Sequence, residues 1–198
     1  MKNAFWVLVI LFPLCANADV VIDKPAPMFS LKGTDGKTYS LDSFKEDIVV
    51  LEWINHDCPF VKKHYNSKYR NMQSLQEEFT KKGVKWFSIG SSAKGKQGNY
   101  TVKEWNGLSK SKGSKATSVL LDENGELGKL YGAKVTPHMF ILNKGILVYA
   151  GGIDNKPSTN PRDIPSAKNF VKTALNELLA GGSVTTKSST PYGCSVKY

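Results

Sequence analysis

The sequence lacks the features that mark several large classes of protein. No spacing repeats itself along its 198 residues, which excludes solenoids and propellers. Its only strongly apolar run lies at the start, so a multi-pass membrane protein is excluded. No glycine-rich phosphate loop follows a predicted strand and no metal signature is present, so we expect no cofactor. Apolar residues make up 40% of the chain, which suits one folded domain.

Cysteine is also scarce, and one of the three cysteines lies in a segment typical of an export signal. Residues 1–18 combine a positive start, an apolar stretch over residues 4–14 and a small-x-small end. That stretch is too short to span a bilayer, which takes roughly 20 residues. We therefore expect cleavage after Ala18 and a periplasmic or secreted protein without a membrane span. The alternatives are an uncleaved anchor helix and a lipoprotein anchor on Cys15, for which Leu14 is the wrong size.

Removal of this segment leaves Cys58 and Cys194 as the thiols of the mature protein. An exported protein enters an oxidising compartment, where a disulfide or a redox role is permitted. Basic residues outnumber acidic ones by 27 to 17, and lysines crowd the segment 94–115. On an exported protein we interpret that segment as a solvated face, or as one weakly attracted to anionic envelope surfaces, and we expect no nucleic-acid partner.

The order of predicted elements indicates an α/β protein. Alternating apolar residues around a glycine-containing turn predict a hairpin at 26–41. Apolar runs predict single strands at 48–54, 84–89 and 118–122, and a hairpin of strands 138–142 and 146–150. Helical periodicity predicts helices at 59–82, 102–112 and 167–180, with a short one reaching residue 131. This order predicts a three-layer α/β sandwich of thioredoxin type with a mixed central sheet.

Cys58 is the candidate reactive group. It follows the predicted central strand and directly precedes Pro59, at the start of the predicted helix 59–82. Unpaired backbone N–H groups at a helix start favour an anion, so the pKa of this thiol should fall and its reactivity should rise. The basic and imidazole side chains close to it in sequence are His56, Lys62, Lys63 and His64. The alternative is an inert cysteine buried in a first turn.

Several blocks of the sequence resemble one known family. The strand IVVLEWI, the block CPFVKKHY that starts at Cys58, and the Thr136–Pro137 pair that opens the strand HMFIL resemble the thioredoxin superfamily. The blocks APMFSLKGTDGKTYSLDSF and VTPHMFILNKGILVYAGGIDN and the ending GCSVKY resemble the peroxiredoxin-like branch of the redoxin group, which includes alkyl hydroperoxide reductase and thiol-specific antioxidant proteins. The resemblance covers residues 23–198. It implies that Cys58 is redox-active and faces a cis Thr136–Pro137 peptide.

The sequence departs from its relatives around this cysteine. Thioredoxins carry a second cysteine three residues later, where this chain has Val61, and a Trp just before the first cysteine, where it has Asp57. A disulfide within the helix is therefore excluded. Peroxiredoxins carry a Pro seven residues before the cysteine and a Thr or Ser three residues before it, where this chain has Leu51 and Asn55.

We divide the chain into the signal peptide 1–18, a redoxin domain 19–182 and a polar tail 183–198 that carries Cys194.

The presence of two thiols in the mature protein suggests a redox cycle. The glycine before Cys194 and the polar tail predict a segment flexible enough to swing towards the helix start. The Cys58 thiolate would attack a peroxide or a protein disulfide, Cys194 would resolve the product as an intramolecular disulfide, and an external thiol reductant would reopen it.

Four further residues are candidates for substrate binding. The Thr136–Pro137 pair would form a platform for the substrate backbone. Asn55 and His56 would supply polar groups close to Cys58, and Asn55 can donate a hydrogen bond to a peroxide. The oligomeric state is not predicted by the sequence.

Three other interpretations stay open. The two cysteines can form a permanent structural bridge, as is common in exported proteins. Cys58 can join His56 and His138 in a copper(I) site, since thiolate and imidazole ligands suit that ion. The fold can also serve as a non-catalytic binding module, with the insert 91–115 as its contact surface.

Overall fold

The computed structural model describes residues 20–198. Its strands, numbered in chain order, are β1 (Ser30–Lys32), β2 (Thr38–Ser40), β3 (Ile48–Trp53), β4 (Lys85–Gly90), β5 (Ser118–Leu121), β6 (Val135–Thr136), β7 (His138–Asn143), β8 (Ile146–Gly151) and β9 (Cys194–Ser195). Its α-helices are α1 (Pro59–His64), α2 (Asn71–Lys81), α3 (Val102–Lys112), α4 (Glu126–Leu130) and α5 (Phe170–Leu179). Short 3-10 helices lie at Leu41–Phe44 and Pro161–Ser166. The predicted signal peptide and its cleavage site lie outside the described residues.

Five strands form a mixed central sheet in the order β5-β4-β3-β7-β8. The pairs β3–β4 and β4–β5 are parallel, whereas β3–β7 and β7–β8 are antiparallel. The central strand β3 has the sequence IVVLEW and is buried along nearly its whole length, as expected for a strand rich in β-branched residues that is covered on both faces. The prediction of a mixed sheet is confirmed.

Two apolar cores lie on opposite faces of the sheet, which gives the three layers. Val50 of β3 contributes to one core, whereas Val49 and Leu51 contribute to the other, because successive side chains of a strand point to opposite faces. The first core includes residues of α2, α3 and α5, and the second includes residues of α4 and of the segment around the β1–β2 hairpin. The predicted α/β sandwich is therefore confirmed. In the described range 20–198, no helix is long and apolar enough to cross a membrane.

The predicted helix at 59–82 is wrong in one respect, because it consists of two helices. Between α1 and α2, Arg70 adopts a left-handed conformation with a φ of 49°. The side-chain oxygen of Asn66 accepts hydrogen bonds from the backbone N–H groups of Lys68 at 3.0 Å and Tyr69 at 3.3 Å. An asparagine that bonds the backbone in this way competes with helix formation. Cys58 therefore precedes a helix of six residues and not the longest helix of the chain.

The C-terminal tail is docked on the domain, where a loose segment was predicted. Its strand β9 pairs with β6 in a small antiparallel sheet. The side chain of Val184 is buried in the first core. At the end of the chain the ring of Tyr198 lies against Gly125 and Gly128, where a Cβ atom would overlap it, and its hydroxyl donates to the carbonyl of Ala133 at 2.7 Å. The ring of Tyr198 thus holds the end of a largely polar tail on the domain.

Candidate active site

Cys58 lies in the connection between β3 and α1. Its backbone is extended, with φ −67° and ψ 126°, and its N–H donates to the carbonyl of Asn55 at 3.0 Å. Pro59 takes the first position of α1, where a missing N–H is tolerated. The backbone carbonyl of Cys58 accepts the N–H of Lys62 at 2.9 Å, so the short helix begins immediately after the cysteine. These backbone hydrogen bonds fix the position from which the Cys58 side chain extends.

The thiol of Cys58 faces two other parts of the chain. The Thr136–Pro137 peptide bond is cis, as the resemblance implies, and the carbonyl of Thr136 lies 3.1 Å from Sγ of Cys58. The β6–β9 pairing sets Cys194 opposite Thr136. The backbone N–H of Cys194 then donates to Sγ of Cys58, with 3.4 Å between the atoms. The two cysteines are free thiols in this structure.

The tail reaches this position because its sequence carries a glycine there. Gly193 has a φ of +153°, and a Cβ atom at this residue would overlap the carbonyl oxygen of Thr136. Only glycine therefore permits the backbone to approach the cis peptide this closely. Sequence analysis used Gly193 as a source of flexibility, whereas in the structure it serves a close packing contact.

The pKa values of the two thiols move in opposite directions. Burial by itself raises the pKa of Cys58, but hydrogen bonds from the thiol and backbone of Cys194, from the backbone N–H of Val61 and from the side chain of Thr136 lower it, and the net pKa is below its ordinary value. Burial and the hydrogen bond to Cys58 raise the pKa of Cys194 to about 11. Cys58 is thus the member of the pair that ionises first.

The two sulfur-bearing residues also differ in exposure. Cys58 is fully buried, at 0% exposure, whereas Cys194 is partly exposed. The easily ionised thiol therefore lies beneath the tail, and the thiol that ionises with difficulty lies nearer the surface. An external molecule therefore meets the sulfur of Cys194 before that of Cys58.

A buried polar cluster holds the tail two residues before Cys194. The hydroxyl of Tyr192 donates to Asp154 and lies 3.1 Å from Nε2 of His64. Lys63, whose side chain is fully buried, lies 3.8 Å from Asp154 and donates to the carbonyl of Lys156 at 2.6 Å. Burial lowers the pKa of His64 to about 3, so its imidazole is neutral. We name His64, Lys63, Asp154 and Tyr192 the tail anchor.

Sequence analysis did not identify the tail anchor. His64 and Lys63 are close to Cys58 in sequence, but their side chains contact Tyr192 and Asp154. The available signal was the presence of two tyrosines, Tyr192 and Tyr198, in a largely polar tail. A pairing over more than a hundred residues leaves no local pattern that sequence periodicity can reveal.

The two candidate polar groups before Cys58 lie in different environments. The side chain of Asn55 is held by structural bonds: its amide donates to the carbonyl of Gln97 at 3.2 Å, and its oxygen accepts the N–H of Asp57 at 2.9 Å. It therefore stabilises the turn that presents Cys58. The ring of His56 packs against Tyr65, with 5.1 Å between ring centroids, and burial lowers its pKa to about 4.

A buried carboxyl group lies in the central strand. Glu52 is fully buried and accepts hydrogen bonds from Tyr65 at 3.0 Å, Gln76 at 3.0 Å and Trp86 at 2.8 Å. Burial raises its pKa to about 7, although the hydrogen bonds act in the opposite direction. This group was not predicted from the sequence, where its only signal is a single acidic residue within an apolar strand.

The described residues give no support to the copper interpretation. Within residues 20–198, no group of three or more His, Cys, Asp and Glu side chains has a metal-binding arrangement. His138 instead accepts the backbone N–H of Lys134 at 3.3 Å and packs on Phe140, with 4.5 Å between ring centroids.

Comparison with solved structures identifies the class of fold. The chain matches the thioredoxin domain of a thiol-disulfide oxidoreductase from Bacteroides vulgatus with a TM-score of 0.54 and 14% identity, over 75% of this chain and 98% of that chain. An uncharacterized conserved protein from Geobacillus kaustophilus matches with a TM-score of 0.74 and 27% identity, over 90% and 92% of the two chains. A hypothetical protein from Sinorhizobium meliloti matches with a TM-score of 0.74 and 21% identity, over 91% and 96%. The molecule is a thioredoxin-fold protein.

The family follows from a match to the sequence. The AhpC/TSA family matches residues 22–152, which is more than half of the chain. The protein therefore belongs to the AhpC/TSA family, as its resemblance to the redoxin group implies. The matched range includes Cys58 and the cis peptide but ends before the tail that carries Cys194. A comparison with curated proteins finds no match.

Proposed function

We propose that this protein is a thiol oxidoreductase that cycles between a Cys58–Cys194 dithiol and a disulfide. The observation that carries the proposal is the contact between the backbone N–H of Cys194 and Sγ of Cys58 at 3.4 Å. A second thiol held this close replaces the partner cysteine that thioredoxins carry within the helix, where this chain has Val61. The tail does not need to swing, because it is already docked beside Cys58.

The oxidising half of the cycle begins at Cys58, whose pKa is the lower of the two. With a hydroperoxide, the Cys58 thiolate attacks one oxygen, the O–O bond breaks and an alcohol or water leaves, which yields a sulfenic acid. The Cys194 thiol then attacks that sulfur, the S–S bond forms and water leaves with the thiol proton. With a small disulfide, the same two attacks release two thiols. In both cases the oxidant gains two electrons and the cysteine pair loses them.

The reducing half of the cycle uses the exposed sulfur. An external thiolate attacks Sγ of Cys194 in the disulfide, because that sulfur is nearer the surface. Cys58 leaves as a thiolate, and a leaving thiol of lower pKa leaves faster. A second external thiol then releases Cys194. Because Cys58 is fully buried beneath the docked tail, an oxidant reaches its sulfur only when the tail shifts, and a small oxidant requires a smaller shift than the disulfide of a folded protein does.

The remaining parts of the proposal concern location and substrate contacts. Residues 1–18 act as the export signal, the mature protein works in the periplasm or outside the cell, and the redoxin domain and the tail function as one unit. Thr136 and Pro137 form the side of the substrate site that faces Cys58, and His56 forms an adjacent side of that site. Asn55 acts through the turn that it stabilises and does not act as a donor to the substrate.

Turnover assays test the proposal. Hydrogen peroxide, an organic hydroperoxide and a small disulfide are offered separately to the wild type, Cys58→Ser and Cys194→Ser, with dithiothreitol as reductant. We expect at least one oxidant to be consumed, no turnover by Cys58→Ser and strongly reduced turnover by Cys194→Ser. Equal rates in all three proteins with every oxidant would contradict the proposal. Fractionation of cells that express the full chain tests the location.

A permanent structural bridge is the principal alternative to this cycle. The opposed pKa shifts favour cycling, because they make Cys58 a good leaving group. A bridge would give a disulfide that dithiothreitol opens only after denaturation. A non-catalytic binding module would give a Cys58 pKa near its ordinary value of ~8.5.

A further inference from the structure

The sulfur of Cys58 is enclosed by two parts of the chain. Cys58 is fully buried, and its sulfur is hydrogen-bonded to the carbonyl of Thr136 at 3.1 Å and to the backbone N–H of Cys194 at 3.4 Å. Thr136 lies in β6, which leads directly into strand β7 of the central sheet, whereas Cys194 lies in the tail. The tail is therefore the part of this enclosure that has to move when a molecule reaches the sulfur.

The part of the tail that precedes Cys194 is held by buried groups. The side chain of Val184 is buried in the first core. The hydroxyl of Ser189 accepts the backbone N–H of Gly152 at 3.0 Å. Tyr192 belongs to the tail anchor, where its hydroxyl is bonded to a buried carboxylate. Movement of this part would break contacts of the interior, so we expect it to stay in place when Cys58 becomes accessible.

The residues after Gly193 are held at more exposed positions. We name residues 194–198 the flap. Its backbone pairs with β6 over two residues only, and the carbonyl of Lys197 accepts the N–H of Ala93 at 2.7 Å. Its largest side chain, Tyr198, is 39% exposed. Segments with few buried contacts open locally at a lower free energy than the whole domain unfolds. The flap is therefore the part of the tail that opens most easily.

Tyr198 makes the contact that fixes the far side of the flap. Its ring lies against Gly125 and Gly128 of α4, and a Cβ atom at Gly128 would overlap its hydroxyl. The same hydroxyl donates to the carbonyl of Ala133 at 2.7 Å. Two residues without side chains thus make room for one aromatic ring. Cys194 lies between this contact and the tail anchor, so the position of Cys194 over Cys58 depends on both.

We propose that the flap opens by rotation at Gly193 to admit a reactant to Cys58, and that Tyr198 is the positioning residue that keeps it closed. Glycine permits a wide range of φ and ψ angles, so rotation at Gly193 moves the flap while the tail anchor stays in place. The opening itself rests on the burial and contacts described above. Its consequence for catalysis, a barrier that discriminates against bulky oxidants, rests on the proposed function.

Alkylation of Cys58 tests the opening without any redox step. All proteins carry Cys194→Ser, which leaves Cys58 as the only thiol of residues 20–198. The rate of reaction with iodoacetamide is measured by mass spectrometry on the high-pH plateau, where the thiol is ionised in every variant. We expect Tyr198→Ala to react about tenfold faster, because it loses the ring contacts and the hydrogen bond. Tyr198→Phe keeps the ring and should give an intermediate rate.

A tyrosine outside the tail supplies the matched control. Tyr69 is partly exposed, and its phenol forms no hydrogen bond among residues 20–198. Tyr69→Ala makes the same change as Tyr198→Ala and should leave the alkylation rate of Cys58 at its reference value. Equal acceleration by the two substitutions would overturn the role given to Tyr198.

Gly128→Ala tests the same contact from the other side. This substitution leaves the tail unaltered, but its Cβ atom would displace the hydroxyl of Tyr198. It should therefore accelerate alkylation of Cys58 as Tyr198→Ala does. Gly107→Ala, which places a Cβ atom in open space, is its control and should have no effect. An unchanged rate in both Gly128→Ala and Tyr198→Ala would overturn the proposal.

The urea dependence of alkylation distinguishes local opening from global unfolding. The effect of urea on an opening step scales with the surface that the step exposes. Release of five residues exposes little surface, so the logarithm of the alkylation rate should rise with a much shallower slope than that of global unfolding, in the reference protein and in Tyr198→Ala. A slope equal to that of global unfolding would overturn the proposal.

Oxidation of the full chain with both cysteines tests the consequence for catalysis. Reduced wild type and Tyr198→Ala are mixed with hydrogen peroxide or with the bulkier cumene hydroperoxide, and the single-turnover rate of oxidation is measured. We expect Tyr198→Ala to raise the rate with cumene hydroperoxide relative to that with hydrogen peroxide, and an unchanged ratio would overturn this consequence. If no oxidant reacts but the variants still accelerate alkylation, the proposed function fails and the flap stands. If alkylation rates are equal but oxidants are turned over, the flap fails and the proposed function stands.

Discussion

The backbone N–H of Cys194 donates a hydrogen bond to the sulfur of Cys58, with 3.4 Å between N and Sγ. The two residues are 136 positions apart in sequence. The antiparallel pairing of β9 with β6 brings them together at the cis Thr136–Pro137 peptide. The donor groups around Cys58 stabilise its thiolate, and the same arrangement holds a second sulfur within reach.

The side chain of Cys194 is expected to lower the pKa of Cys58. Cys194→Ala removes the S–H donor and keeps the backbone N–H, so the pKa of Cys58 should rise. Cys194→Ser keeps a hydroxyl donor and should give a pKa closer to that of the wild type. Titration of the ultraviolet absorbance of the thiolate measures all three proteins. Identical pKa values would show that the side chain of Cys194 does not stabilise the thiolate.

Gly193 is expected to be required for the docking of the tail. Gly193→Ala places a Cβ atom against the carbonyl of Thr136, so Cys194 should move away from Cys58. A displacement of about 1 Å can slow a reaction ~100-fold, and we expect disulfide formation to slow by 10- to 100-fold on this basis. Quenched alkylation after addition of a mild oxidant measures the rate.

Gly107→Ala is the control for this substitution. Gly107 lies in α3, and a Cβ atom there meets nothing within 4 Å. Alanine in a helix interior is more stable than glycine by roughly 0.5–1 kcal/mol, so this variant should be as stable as the wild type or more so. It should form the disulfide at the wild-type rate. Slow disulfide formation in both variants would contradict the role given to Gly193.

The tail anchor is expected to position Cys194. Tyr192→Phe removes the hydroxyl group that contacts Asp154 and His64. The loss should lower the free energy of unfolding by about 1–3 kcal/mol, because it leaves buried polar groups unpaired. It should also shift the equilibrium with glutathione towards the dithiol. Tyr69→Phe is the control, because that phenol forms no hydrogen bond among residues 20–198, and it should alter neither quantity. A loss of stability without a change in the thiol equilibrium would show that the anchor is only structural.

Glu52 is expected to make the stability of the protein depend on pH. The folded state raises the pKa of Glu52 from 4.5 to about 7, so it holds the proton more tightly than the unfolded state does. This contribution is complete below pH 4.5 and is lost as the pH rises through 7, a change of about 3 kcal/mol for a shift of this size.

Comparison with Glu52→Gln isolates this effect from that of the buried histidines, whose lowered pKa values act in the opposite direction. The free energy of unfolding is measured with urea at about pH 5 and about pH 8. The difference between the wild type and the variant should change by about 2.5 kcal/mol between these conditions, because part of the contribution is already lost at pH 5. A constant difference would show that Glu52 keeps its ordinary pKa.

The sequence predicted the fold more completely than the site. Strand β3, the helix α3 and the hairpin β7–β8 have strong local patterns, and all three are present. Helix α3 starts at a capping box of Thr101 and Glu104 and ends at Gly113 in a left-handed conformation, which are short-range signals. The break between α1 and α2 was missed because a side-chain bond from Asn66 interrupts a regular apolar pattern.

The arrangement of the site depends on contacts that sequence patterns do not encode. Cys58 and the Thr136–Pro137 pair could be selected because each stands at the start of a predicted element. The docking of the tail could not be predicted, since it depends on Tyr192, Gly193 and Tyr198 meeting surfaces formed by distant parts of the chain.

The most direct test of the proposed dithiol–disulfide cycle is the redox state of the two cysteines in the full-length protein. The protein is treated with a mild oxidant under native conditions, alkylated and mapped by mass spectrometry, then treated with dithiothreitol and mapped again. We expect a peptide pair that is joined through Cys58 and Cys194 and that dithiothreitol separates without denaturant. Two alkylated cysteines after oxidation, or a bond that opens only once the protein is unfolded, would contradict it.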